Sequence, residues 1–420
     1  MKDQELLIAV VGLGYVGLPT AAVLASRGVP VLGIDVNSRV VEAVNKGLVH
    51  FEEPDLDAIV QVAVGKGLLR AVTEPESADV FVIAVPTPLR DSMPDISSVQ
   101  RAGSMIAPVL RPGNLIVLES TSPVGTTELL CRELSQARPD LAFPVGTGED
   151  PDVSLAYCPE RVMPGKVLHE LVNNDRVIGG MSERCTQRAI AFYRLFCTGE
   201  CLATSTRVAE LCKLTENAFR DVNIAFANEL SLICDRLGVD VWDLIRLANH
   251  HPRVAILQPG PGVGGHCVAV DPWFIVASAP EQARLIRTAR EVNDSKPAVV
   301  LGKIRAFADE IKADGVRRPG IACLGLAFKP DIGDVRKSPA LAISEEVARW
   351  GDCDVFVAEP HLTQLPGQLA GKNHVTMTTA PEAITRSEIV ALLVDHQQFA
   401  HIERAVLANK KIVDTRGLWS

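Results

Sequence analysis

The residue with the most chemistry around it is Cys267, in the stretch GPGVGGHCVAVDPWF from Gly260 to Phe274. Glycine is placed where a backbone must turn sharply or come close to another group. Gly260, Gly262, Gly264 and Gly265 all precede this one cysteine, His266 stands beside it and Asp271 follows four residues later. A thiol on a glycine loop among titratable groups is the setting in which a thiolate nucleophile is generated, with the glycines bringing backbone close to a substrate. The other reading is a small buried hydrophobe, the commonest fate of a free cysteine.

A second group lies in ELCKLTENAFRDVN, where Lys213 and Asn217 are four residues apart and Glu210 is one turn earlier. On a helix these positions share a face. With Leu211, Leu214, Ala218 and Phe219 around them, they fit a buried polar site and, equally, a solvated helical stripe.

The third group is GLGYVG, in which Gly12, Gly14 and Gly17 enclose Tyr15 and Val16, directly after an apolar run and directly before a helical one. Asp35 ends the next apolar run, in GID. A strand, a glycine turn, a helix and an acid about 20 residues on are the parts of a dinucleotide site. Gly12 allows the tight turn, Gly14 the approach of a pyrophosphate and Gly17 close packing of helix on strand. An acid at the ribose accepts from both hydroxyls and repels a 2′-phosphate, so the expected cofactor is NAD.

These groups need a frame. LLIAVVGLG, PVLGID, ADVFVIAVPTP, LIVLES and LAYCPE are apolar runs separated by helical segments, the pattern of parallel strands covered on both faces. The expectation is an NAD-binding Rossmann-like domain over residues 1–203. Thr204 to Leu237 contains neither Gly nor Pro. It predicts one long helix, capped by Thr204 or Ser205 and ended by Gly238, roughly 50 Å at 1.5 Å per residue. A helix of that length suits a spacer that also packs on a second copy of the chain, so a homodimer through it is expected. Residues 204–300, dominated after the long helix by shorter ones, form the predicted central helical and dimerisation domain, carrying Lys213 and the cysteine loop. GIACLGLAF, DVFVAEP, EIVALLVD and KIVDTRG begin the pattern again, giving a smaller α/β unit over 301–420 that lacks its own GxGxxG. The fold class is thus α/β: two Rossmann-like doubly wound domains joined by a long central helix and a small helical domain.

Composition narrows the partners. The chain has 420 residues, 47% hydrophobic and 22% charged, with a net charge of -9; this is an ordinary globular balance that favours neither nucleic acid nor an anionic membrane as partner. The start, MKDQELLIAVVGLG, carries acids and reads as a first strand rather than a leader. Ten cysteines without CxxC pairs suggest reduced thiols, a cytoplasmic location and no metal site.

Taken together, the residues resemble the nucleotide-sugar dehydrogenases of the UDP-glucose and GDP-mannose dehydrogenase superfamily. The matching stretches are GLGYVGLP, VPTP from Val85, ESTSPVGTT from Glu119, CPERVMPG from Cys158, ELCKLTENAFRDVN, GPGVGGHCVAVDP, FKPDIGDVRKSP from Phe328 and DTRG from Asp414. They follow one another over essentially the whole chain. The resemblance implies oxidation of a sugar's C6 primary alcohol to a carboxylate in two hydride transfers, with two NAD and one water. Cys267 would hold the aldehyde as a thiohemiacetal, then a thioester. It implies further that Lys213 stabilises oxyanion character with Asn217 beside it, that Asp271 handles proton transfer through a water, that Glu160 does acid/base work in hydrolysis, and that Thr121 helps hold that water and the cofactor. Thr87 and Arg336 match cofactor contacts. Lys329 and Arg416 match positions near the nucleotide sugar, as do Arg161 and Gly264. Arg253 matches an arginine that reaches the sugar site of a second subunit.

Within this family the wording of GVGGHCVAVDPWF, ESTSPVGTTE and NHHPRV looks most like the branch that acts on UDP-N-acetyl-D-mannosamine; UDP-N-acetylglucosamine and UDP-glucose are the alternatives. Two positions depart from the glucose branch: Val270, where many members have lysine, and Pro164, where some have a second glutamate. A non-catalytic binder of NAD and nucleotide sugar, or a redox sensor using Cys267, is the reading from another class. It gives no reason for Cys267, Lys213, Asn217 and Asp271 to occur together.

Overall fold

The computed structural model describes residues 6–51, 53–90, 93–145, 151–163 and 165–419. Pro164 and the first five residues of the opening stretch lie outside them. The chain forms two compact units, one running to Glu216 and taking in Trp273–Ser278, the other made of Asn217–Pro272 and the chain from Ala279 onward.

In the first unit the apolar runs become strands: β1 (Ile8–Val11), β2 (Val31–Ile34), β3 (Leu69–Val72), β4 (Val80–Ile83), a hairpin of β5 (Leu89–Arg90) and β6 (Met93–Pro94), then β7 (Leu115–Leu118), β8 (Ser154–Tyr157), β9 (Arg176–Gly180) and β10 (Cys201–Ser205). The large sheet has the order β10-β9-β8-β7-β4-β1-β2-β3. Its central strands IAVV, VLGI, VFVI and LIVL are buried along their whole length, as strands covered on both faces must be. One apolar core, with Leu18, Leu24 and Tyr193, covers one face; another, with Phe81, Ile106 and Leu130, covers the other. The sheet is parallel except where β9 meets β8, Ala156 facing Gly180 in antiparallel register. The sequence runs do not reveal that reversal, nor the short edge strand β3.

The second unit contains β11 (Gly320–Leu324), β12 (Asp354–Ala358), β13 (Val375–Met377), β14 (Ile389–Leu392) and β15 (Lys411–Asp414), all parallel in the order β13-β12-β11-β14-β15. Strand order reverses beside β1 in one sheet and beside β11 in the other, which makes the crevice beyond the strands' carboxyl ends the place for a ligand. Two Rossmann-like sheets and a long helix are therefore present, as expected.

The long helix spans Thr206–Leu237, 32 residues, and of the two caps expected for it Ser205 is the one in place: it is the residue before the helix and its Oγ accepts from Val208 N at 3.4 Å. Thr204 and Ser205 also finish β10, paired with Gly179 and Gly180, so the strand runs straight into the helix. Gly238, at φ 68°, ends the helix in the left-handed conformation expected of it. The shorter helices expected before about Val300 are present as Val241–Ala248 and Asp271–Ser278, but a second long helix, Arg284–Ala313, which contains Pro297, runs through the expected boundary at residue 300. Proline argues for a break, yet Ile304, Ala308 and Ile311 beyond it are buried in the core of the second sheet, and that packing outweighs the lost backbone bond.

Candidate active site

The first unit builds the cofactor turn. Gly12 follows β1 at φ 91°, and its N–H donates to the Ile34 carbonyl at 2.8 Å. A Cβ here would lie 2.6 Å from the Ala84 oxygen, and one on Gly17 only 1.8 Å from the Gly12 oxygen, so both glycines are required by packing. Gly14 differs: nothing lies within 4 Å of where its Cβ would stand. Val16 holds the N-cap position of helix Gly17–Ser26 without a side-chain cap, which leaves that end suited to phosphate oxygens. Asp35 follows β2, its Oδ2 accepting from Leu13 N at 3.0 Å and its Oδ1 from Asn37 N at 2.9 Å. Tyr15 stacks on Phe51 at 4.5 Å. An open glycine, an uncapped helix and a carboxylate tied to the turn fit NAD.

Thr87 and Thr121 follow β4 and β7, and the Thr87 hydroxyl donates to the Thr121 carbonyl at 2.5 Å. Glu160 follows β8, 8% exposed. Its Oε1 accepts from Arg161 N at 2.6 Å and its Oε2 meets Arg176 Nη1 at 3.2 Å. The Arg161 guanidinium is engaged by Glu216 on the long helix at 2.6 Å.

Glu210 has a different task from the one its spacing suggests. It is fully buried and accepts from Gly125 N, Thr127 N and the Thr127 hydroxyl at 2.6, 2.8 and 2.7 Å, capping helix Thr126–Ala137. Burial raises its carboxyl above the ordinary range, against the pull of those donors. Lys213 is half-buried one turn further along the same helix.

The second unit carries the cysteine loop. Cys267 is half-buried, and its carbonyl accepts from Val270 N at 2.9 Å and Asp271 N at 2.8 Å, one turn before helix Asp271–Ser278. Asp271 is 3% exposed and its Oδ2 accepts from Asn217 Nδ2 at 2.6 Å. The structure thus brings together an asparagine and an aspartate 54 positions apart.

The loop glycines also make close approaches to protein. A Cβ on Gly264 would stand 2.7 Å from the Lys337 oxygen and 2.8 Å from both Phe328 Cβ and Pro339 Cδ; one on Gly265 would stand 3.1 Å from the Phe328 ring. Gly265, at φ 84°, donates to the Arg336 carbonyl at 3.3 Å. The loop is thereby seated on the FKPDIGDVRKSP segment. Lys329 is half-buried in that segment. Arg336 holds Asp334 at 2.6 Å, and Arg416, after β15, holds Asp395 at 2.7 Å. Arg253 is exposed after helix Val241–Ala248, His266 is exposed and Val270 is buried.

Sequence reasoning overlooks several buried supports. Glu53 accepts from Gly165 N and Val167 N, both at 2.9 Å, fixing the chain beyond CPER. Asn228 Oδ1 accepts from Gly260 N at 2.8 Å at the start of the cysteine loop. Asp331, His361 and His396 lie within ligating distance of one another, but His396 Nδ1 already accepts from Asp331 N at 2.9 Å.

What the two units carry is the equipment of an NAD-dependent nucleotide-sugar dehydrogenase. Residues 6–197 match the NAD binding domain, 207–295 the central domain and 322–420 the UDP binding domain of one family. The chain belongs to the UDP-glucose/GDP-mannose dehydrogenase family. It is 57% identical to an NDP-N-acetyl-D-galactosaminuronic acid dehydrogenase of Ralstonia nicotianae, covering 98% of this chain and 96% of that one. It is 55% identical to a UDP-N-acetyl-D-mannosamine dehydrogenase of Yersinia pestis, covering 98% and 99%. The solved UDP-D-ManNAc dehydrogenase of Pyrococcus horikoshii superposes with a TM-score of 0.86 at 37% identity, covering 99% and 96%. Among the described residues no helix is long and apolar enough to cross a membrane.

Proposed function

We propose that this enzyme oxidises the C6 alcohol of UDP-N-acetyl-D-mannosamine to the carboxylate, giving UDP-N-acetylmannosaminuronate with two NAD and one water. The first hydride transfer leaves an aldehyde. The Cys267 thiolate adds to it, and the resulting thiohemiacetal carries the hydride lost in the second transfer. Water then cleaves the thioester, releasing the acid and the thiol. Asp271, oriented by Asn217, handles the proton through a water; Lys213 stabilises negative charge on the reacting oxygen; Glu160, with Thr121, serves hydrolysis.

The observation that carries this reading is the Asn217–Asp271 hydrogen bond, made one turn from Cys267. A buried, hydrogen-bonded carboxylate four residues from the thiol, its N–H bonded to the Cys267 carbonyl, has no use in a pure binding module. Gly12, Gly14, Tyr15, Val16, Gly17, Asp35, Thr87, Thr121 and Arg336 would hold NAD. Arg161, Arg253, Gly264, Lys329 and Arg416 would hold the nucleotide sugar, cations being suited to its pyrophosphate.

The relative at 57% identity favours a second reading, in which the sugar is UDP-N-acetylgalactosamine. Both readings place an acetamido group at C2. Purified enzyme with NAD and a panel of UDP-sugars decides: two NADH per UDP-N-acetylmannosamine at the highest kcat/KM is expected. Faster turnover of the galacto sugar, the gluco sugar or UDP-glucose overturns the branch; no NADH from any of them overturns the enzyme reading.

The homodimer belongs to the same proposal. Phe219, Phe226, Ile233 and Leu237 on the long helix are 70%, 51%, 47% and 69% exposed at helical spacing, a stripe suited to a second copy. Light scattering should give twice the chain mass, and Phe226→Asp should halve it. A cytoplasmic location completes the reading, tested by fractionation.

A further inference from the structure

Behind Glu160 the first unit buries a second carboxylate. Glu119 follows β7 at 2% exposure, and its Oε1 accepts from the Tyr193 hydroxyl at 2.7 Å. Its Oε2 makes no full hydrogen bond among the described residues; the Thr20 hydroxyl, which makes none either, is the donor nearest to hand. Facing it are Glu160 and Cys158 beyond β8, Arg176 from β9, Tyr193 from helix Glu183–Tyr193 and Thr20 from helix Gly17–Ser26.

The charges in this cluster do not balance. Burial pushes the Cys158 thiol up to about 12 and Tyr193 well above its ordinary value, so both stay neutral. Two carboxyls then share one guanidinium, Arg176, itself 3% exposed. Two acids in one buried site do not both ionise readily, and one of them keeps a proton. The donors decide which. Glu160 receives Arg161 N–H and the Arg176 cation, whereas Glu119 has only two neutral hydroxyls, Tyr193 and Thr20, to face. A buried anion with no cation of its own is costly, while a carboxylic acid can accept from Tyr193 and donate to the Thr20 oxygen.

We infer that Glu119 is held protonated beside Glu160, so that the two acids share one negative charge and Arg176 is a positioning residue that directs its charge to Glu160. Burial first, and then the charge of Glu160, push Glu119 up to about 7. Arg176 is held in turn: Nη2 donates to the Leu171 carbonyl at 2.9 Å, and the guanidinium lies 5.0 Å from the Tyr193 ring and 5.7 Å from that of Phe196. The inference rests on the acid/base reading of Glu160.

The test uses the full-length enzyme and the variants Glu119→Gln, Arg176→Lys and Arg176→Gln. Infrared difference spectra near pH 6 should show a buried carboxylic acid C=O band that Glu119→Gln removes. Arg176→Gln should move the acidic limb of the kcat profile up by about one unit or more, with Arg176→Lys intermediate. A spectrum without a band that depends on Glu119 overturns the shared-proton inference, even if the arginine variants do not fold. An acidic limb unmoved in folded Arg176→Gln overturns the positioning role. Undiminished turnover in Glu160→Gln overturns the acid/base reading of Glu160 instead and leaves the infrared result standing.

Discussion

Asn217 donates to Asp271 across 2.6 Å, tying the long helix to the first residue of the helix that follows the cysteine loop. The bond satisfies a carboxylate that is 3% exposed and fixes its orientation.

Replacing Asp271 by asparagine keeps the shape and removes the carboxylate proposed to accept the proton. Turnover should fall by about 10²-fold or more, the usual contribution of a positioned acid or base, while the melting temperature changes little. Steady-state NADH formation and a thermal melt measure both. Near-normal kcat would remove Asp271 from the proton path.

Cys267→Ser should abolish formation of the sugar acid while leaving, at most, a slow first oxidation. In the wild type, mass spectrometry after an acid quench should find the sugar joined to the peptide containing Cys267. Acid released by the serine variant at the normal rate excludes a covalent path.

Gly264→Ala places a methyl group 2.7 Å from the backbone oxygen of Lys337, an atom that cannot swing aside. Overpacking of this kind costs about 1–3 kcal/mol. A lowered urea midpoint together with reduced turnover is expected. An alanine variant with wild-type stability would mean that the loop does not rest on segment 328–339.

Asp35→Ser removes the charge proposed to oppose a 2′-phosphate. Preference for NAD over NADP should drop by at least about tenfold, or ~1.4 kcal/mol. The ratio of kcat/KM for the two cofactors measures it, and an unchanged ratio assigns the discrimination to another residue.

The Glu119 carboxyl makes stability depend on pH. Its folded value, about 7, lies above the ordinary 4.5, so the folded state holds the proton more tightly than the unfolded chain does. That contribution is complete below about pH 4.5 and is lost as the pH rises through about 7. Urea midpoints of wild type against Glu119→Gln between about pH 5 and pH 8 should converge on the acidic side and part on the alkaline side, with the wild type the weaker. Parallel curves would show that Glu119 is already ionised in the folded state.

Much of the frame was legible because its signals are local. An apolar run next to GxGxxG gives the strand, turn and helix around Gly12, and the absence of Gly and Pro before Gly238 gives the long helix. Distance along the chain hid the rest. Strand β9 runs antiparallel to β8 because of pairing that Arg176–Gly180 alone does not encode. Glu210 looked like a companion of Lys213 through helical periodicity, but its carboxylate turns to Gly125 and Thr127, more than 80 positions away. Glu119 stands in the ESTSPVGTT stretch, yet a buried acid is recognisable only once Tyr193 and Arg176 are seen beside it. The glycines before Cys267 were legible as a demand for close approach; that the neighbour is Phe328 and Lys337 was not.

The seat of that loop limits how such enzymes can be recombined. Gly264 and Gly265 accept the surface of one particular partner segment, so a chimaera that takes its last domain from a relative must take residues 260–271 with it. A crossover before Gly260 carries lock and key together; one placed at the start of β11 separates them, and the hybrid inherits a cysteine loop with nothing to rest against.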